Sequence, residues 1–110
     1  MTINRYAKGK RVENKAKKYY ESQGYEVETV RYNQWMPNKD YFGLWDLICV
    51  GEYNVRFVQV KANKKPPKEW IERANAWGPK CNNVIREYVV YRDYSRGLTP
   101  SAQITLSPKS

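Results

Sequence analysis

The chain is 110 residues long, carries a net charge of +9 and contains no histidine. That length serves one compact domain, and its 41 % apolar content supports a core but contains no run near the ~20 apolar residues of a membrane span. Without an imidazole, Ser-His-Asp and Cys-His catalysis, histidine-ligated zinc and a histidine general base are all excluded.

In chain order, residues 4–23 read as a helix, with Val12, Ala16, Tyr19 and Tyr20 at helical spacing, Lys and Arg on the other faces, and Gly24 as its stop. Residues 25–31 read as a strand with Tyr25, Val27 and Thr29 on one face. Residues 32–43 break any period at Pro37 and Gly43 and form a loop. Residues 45–50 and 55–61 are two apolar strands about a turn at 51–54, a tight antiparallel hairpin. After the basic linker 62–66, Pro67 suits the first position of a helix. Trp70, Ile71, Ala74 and Trp77 form a helical stripe that ends at Gly78 and Pro79 and reads as core packing against the sheet. Residues 84–92 form another strand. The tail from Gly97 offers only a short edge strand at 102–106. The order is α-β-β-β-α-β, one α/β domain over 1–96 followed by a tail at 97–110.

The N-terminal residues have no apolar run after their charges, so no secretory leader is expected. Cys49 lies in an apolar run and reads as a buried free thiol. With Cys81 far away there is no disulfide framework, which favours an intracellular, cytoplasmic setting. The charge is unevenly spread. Residues 1–20 hold seven basic side chains and one acidic, residues 21–60 hold more acids than bases, and residues 61–80 are basic again. Two basic blocks around an acidic middle are either a solvated, solubilising surface or a phosphate-binding surface with an acidic pocket between its arms.

Within that pattern four residues converge. Asp46 opens one hairpin strand, and Gln59 and Lys61 close the other, two apart and therefore on one face. The hairpin brings these ends to one sheet edge, and Glu13 lies on the preceding helix. Carboxylate, amide and ammonium together can hold a hard divalent cation and orient a water. Asp46, the Gln59 side-chain oxygen, the Val60 carbonyl and Glu13 are the candidate ligands. Such a cation, Mg²⁺ or Mn²⁺, would polarise a scissile phosphate and activate water, while Lys61 positions the water or stabilises charge on the phosphorane. Each residue also has an ordinary alternative: a solvated Glu13 paired with Lys17, a strand-edge cap at Asp46, a polar strand residue at Gln59, a solvated Lys61.

Three segments resemble the PD-(D/E)XK nuclease superfamily, and within it small archaeal and phage endonucleases of the Holliday-junction-resolvase-like kind. Gly9 to Glu13 is similar to the family's helix-borne Gly-x-x-x-Glu. Gly43 to Ile48 is similar to its Pro-Asp strand start, with Trp45 in place of Pro. Val55 to Lys61 is similar to its (Asp/Glu)-x-Lys strand end, with Gln59 in place of the acid. The resemblance spans roughly residues 5–92. It implies a restriction-endonuclease-like αβββαβ core, a mixed central sheet flanked by helices. It also implies Glu13, Asp46 and Gln59 as metal-site residues and Lys61 as the catalytic lysine. Gln59 removes one negative charge from the site and weakens metal binding relative to the family's acid.

The activity expected is hydrolysis of phosphodiester bonds in DNA, with branched, flap or junction DNA as the substrate shape and a homodimer to make paired incisions. Lys8, Lys10, Arg11, Lys15, Arg31, Lys39, Lys64, Lys65 and Lys68 are the candidate backbone contacts, and Tyr32, Trp35 and Tyr41 either stack on bases or close the core beneath their loop. The alternatives are a catalytically inactive nucleic-acid-binding module on the same fold and a small RNA-binding or ribosome-associated protein.

Overall fold

The computed structural model describes residues 5–29, 41–42, 44–78, 82–93 and 96–106, with side chains from Gly9 onward. The elements are α1 (Arg5–Ser22), β1 (Glu26–Thr29), β2 (Leu47–Val50), β3 (Val55–Ala62), α2 (Lys68–Ala76), β4 (Val84–Tyr91) and β5 (Ala102–Leu106). The strands form one five-stranded sheet in the order β1-β2-β3-β4-β5. Strand β2 pairs antiparallel with both β1 and β3, β3 and β4 are parallel across the α2 connection, and β5 returns antiparallel on β4. The molecule is thus α/β, a mixed sheet with two helices.

Strand alternation sorts the core into two layers. Val58, Val60, Val89 and Tyr91 point to one face, where they pack with Val12, Ala16 and Tyr20 of α1 and with Leu47 and Cys49. Phe57, Tyr88 and Val90 point to the other, against Trp70 and Ala74 of α2 and Leu44 and Trp45 of the segment before β2. The α1 stripe recurs every four residues, and the Trp stripe of α2 is core as its spacing predicts.

The helix ends show why the elements stop where they do. Gly24 takes a positive φ of 94°. The Gly24 amide donates to Glu21 and the Tyr25 amide to Tyr20, which closes α1 and brings the Tyr25 ring edge-on to Tyr20. At α2, Pro67 is the N-cap rather than the first helical residue. Its far end is covered from β4: the Arg86 guanidinium, 3 % exposed, donates to the carbonyls of Ala74 at 2.7 Å and Trp77 at 3.1 Å.

Beneath α1 lies a second buried charge. Glu87 is fully buried and pairs with Arg56 at 2.9 Å. It also accepts hydrogen bonds from Tyr20, Gln103 and Thr105, each at 2.9 Å. One carboxylate therefore ties α1, β3 and β5 to β4.

Candidate active site

Strand β2 begins, and β3 and β4 end, at the same edge of the sheet. Asp46 sits there, one residue before β2. Its amide donates to the Val58 carbonyl at 2.8 Å although the ladder pairs Val58 with Leu47. Two residues thus oppose one, as in a β-bulge, the device that re-aims a side chain at the end of a ladder. The side chain is turned into the sheet edge. Asp46 Oδ2 accepts the Val60 amide at 2.9 Å, and the residue is 6 % exposed. In an antiparallel ladder the N–H and C=O of one residue face the same neighbour, so the Val60 carbonyl is turned to the Asp46 side.

Gln59 follows on β3 and is 4 % exposed. It shares the face of Phe57 and Lys61 and lies beside Tyr88 in the parallel ladder. Among the described residues its buried Oε1 has no hydrogen-bond partner, and the Trp45 indole N–H is in the same condition. Leaving a buried acceptor unpaired costs about 1–3 kcal/mol, so this oxygen is out of keeping with an ordinary strand residue. Tyr88 feels the same edge: its phenol is pushed up to about 12, by burial first and then by the Asp46 charge.

Lys61, two residues on, is exposed. Glu13 is half-buried next to Val12, in the α1 layer that includes Val60 and Tyr91. The C-terminal end of α1 is fixed near the β2–β3 turn, where Tyr25 donates to Asn54 at 2.7 Å. Glu13 lies about two turns upstream, on the half of the helix away from that turn. Among the described residues no three of His, Cys, Asp and Glu come together as a metal-holding group. A cation at this edge would therefore draw on fewer than three carboxylates, with the Gln59 amide oxygen and a backbone carbonyl beside them. That oxygen-only set fits a hard ion that keeps several waters, and the unpartnered Gln59 Oε1 is the observation that favours it.

Of the candidate phosphate contacts, Lys64, Lys65 and Lys68 are exposed beyond the end of β3, Arg11 is exposed on α1, and Lys10 and Lys15 are half-exposed beside it. Lys8 lies in α1, but its side chain is outside the described residues, as are Arg31, Lys39, Tyr32, Trp35 and Cys81. Tyr41 packs against the α2 layer and donates to the Thr29 carbonyl at 3.0 Å, so it closes the core. Cys49 is buried and free. Two residues that matter at this edge gave no signal that sequence reading picked up: Tyr88, whose position depends on the parallel β3–β4 pairing, and Asn63. Asn63 is at φ 57° immediately after β3, a left-handed conformation that Asn tolerates better than most side chains.

The sequence matches no protein-family model and no curated protein, and no solved structure matches the fold. No described helix is long and apolar enough to cross a membrane.

Proposed function

We propose that the chain is a metal-dependent DNA endonuclease of the PD-(D/E)XK kind, its active site at the edge where β2 begins and β3 ends. The buried Gln59 Oε1, unpartnered among the described residues, on the strand end whose Val60 amide holds the Asp46 carboxylate, carries this reading. Asp46, Gln59 and the Val60 carbonyl would hold Mg²⁺ or Mn²⁺, with Glu13 as a further carboxylate. Bound there, the ion supplies Lewis-acid stabilisation of charge on the phosphate.

The remaining chemistry belongs to the protein's own groups. The Val60 amide fixes the Asp46 carboxylate through Oδ2 at the edge where β2 begins. The exposed Lys61 ammonium sits on the Gln59 face, where it orients the attacking water and offsets negative charge on the phosphorane. Exposed lysines around the edge hold the flanking backbone. Branched, flap or junction DNA is the proposed substrate, and a homodimer would deliver paired incisions.

A labelled panel of single-stranded, duplex, flap and four-way-junction DNA, incubated with Mg²⁺, Mn²⁺ or EDTA, tests this. Wild type should give metal-dependent products that Asp46→Ala and Lys61→Ala both lose, while Asp46→Ala binds DNA at least as tightly because a negative charge near phosphate is gone. The second reading is a nucleic-acid-binding module that does not cut. It is favoured by Gln59 standing where an acid would complete the site, and binding without products under any metal would establish it.

A further inference from the structure

Between the last residues of β3 and the start of α2, four lysines lie within eight residues: Lys61, Lys64, Lys65 and Lys68. All are exposed, and none forms an ion pair among the described residues. An exposed basic linker would ordinarily be loose. Here the backbone is tied down at several points. Ala62 ends the ladder opposite Tyr91. Asn63 donates its amide to the Tyr91 carbonyl at 3.0 Å, and its Oδ1 accepts the Asp93 amide at 2.9 Å. The Lys64 carbonyl accepts the hydroxyl of the fully buried Tyr88 at 2.9 Å. Pro66 and Pro67 restrict the next two φ angles, and the Pro67 carbonyl accepts the Ile71 amide at 3.0 Å as α2 begins.

We propose that residues 61–68 form a preorganised arm for the phosphate backbone of double-helical nucleic acid, with Tyr88 and Asn63 as its positioning residues. This deepens the nucleic-acid reading above and rests on it. The arm sets the backbone positions from which its lysines extend, and so the region each ammonium can reach. A duplex presents phosphates at regular spacing and matches such a set without further ordering of the protein. A flexible single strand must lose its own freedom to match it, and it gains less from rigidity in the arm. The arm's rigidity therefore confers preference for duplex over single strand, while the lysine charges confer affinity for both. Tyr88 acts from the core: its hydroxyl donates to the Lys64 carbonyl.

The test is binding of a fluorescent 20-base-pair duplex and of its isolated strand, in EDTA, as a function of salt. Each lost duplex phosphate contact lowers the slope of log K against log salt by about 0.9. Lys64→Ala/Lys65→Ala should lower the duplex slope by about 1.8. Tyr88→Phe keeps every charge and should reduce the duplex-to-strand preference several-fold with the strand affinity unchanged. Asn63→Ala should do the same, and Asn63→Gly, which keeps the left-handed backbone, should do so less. If Tyr88→Phe proves unstable by thermal melting, the Asn63 pair decides. An unchanged slope in the lysine variant overturns the arm, and an unchanged preference in Tyr88→Phe and both Asn63 variants overturns the positioning role. A wild type that binds duplex through the arm but never cuts DNA sinks the nuclease and leaves the arm standing. A wild type that cuts while the lysine variant binds with an unaltered slope sinks the arm alone.

Discussion

At the scale of single residues, Gln59 carries a cost to folding that the proposed metal site would offset. Its Oε1 is buried without a partner among the described residues, a condition that costs about 1–3 kcal/mol. An apolar side chain of similar volume removes that cost. Gln59→Leu should therefore raise the stability of the metal-free protein by about 1–2 kcal/mol and abolish metal-dependent cleavage, as chemical denaturation and the cleavage assay would show. A stability loss in Gln59→Leu would mean that the amide serves the fold. Gln59→Glu should do the opposite on both counts. It buries a carboxylate at the edge where Asp46 lies, which destabilises the metal-free state, and it adds an acid to the proposed site. Its melting temperature should rise with added Mn²⁺ more steeply than that of wild type. Equal metal responses in the two proteins would remove Gln59 from the ligand set.

At the scale of elements, the periodic segments were legible and their long-range partners were not. The four-residue stripe of Val12, Ala16 and Tyr20, the Gly24 stop and the Trp70–Ala74 stripe are local patterns, and each element appears where its pattern places it. The hairpin was legible too, but Asp46 precedes β2 rather than opening it, because its amide is diverted to Val58. Arg86 shows the limit more sharply. In sequence it is one of two adjacent charged residues in an otherwise apolar strand. In the fold it covers the end of a helix about ten residues earlier, a pairing that exists only once α2 lies on β4. Arg86→Lys keeps the charge but not the planar fork that reaches several carbonyls. It should destabilise the protein by about 1.5–3 kcal/mol, the range for a hydrogen bond to a charged group, and amide exchange should rise first in Ala74 to Trp77. Uniform exchange across the chain would show that Arg86 does not act on α2 in particular.

For the molecule as a whole, the buried titratable groups set an alkaline limit. Cys49 is pushed up to about 12 from its ordinary 9.0, by burial first and then by the charge of Glu87, and Tyr88 is pushed up to about 12 from 10.0. Tyr20 and Tyr91 are raised as well, chiefly by burial. The folded state keeps protons that the unfolded chain releases, so the unfolded state binds fewer protons and stability falls as pH rises. The contribution is intact below about pH 9 and is lost between about pH 9 and 12. Urea midpoints should be level below pH 9 and decline above it, and Cys49→Ala should delay the onset toward pH 10, where the unfolded tyrosines begin to titrate. The same onset in Cys49→Ala would exclude the thiol as the first group to respond.

The Glu87 cluster has a consequence for how the chain is made. Among the described residues four groups meet this carboxylate, and two of them, Gln103 and Thr105, lie on β5, 16 and 18 residues downstream. Until that strand has emerged from the ribosome, the centre of the sheet holds an anion with only Tyr20 and Arg56 to meet it. The nascent chain thus reaches its finished packing only after β5 is released, and a partial product ending before Ala102 exposes the β4 edge together with an incompletely paired charge.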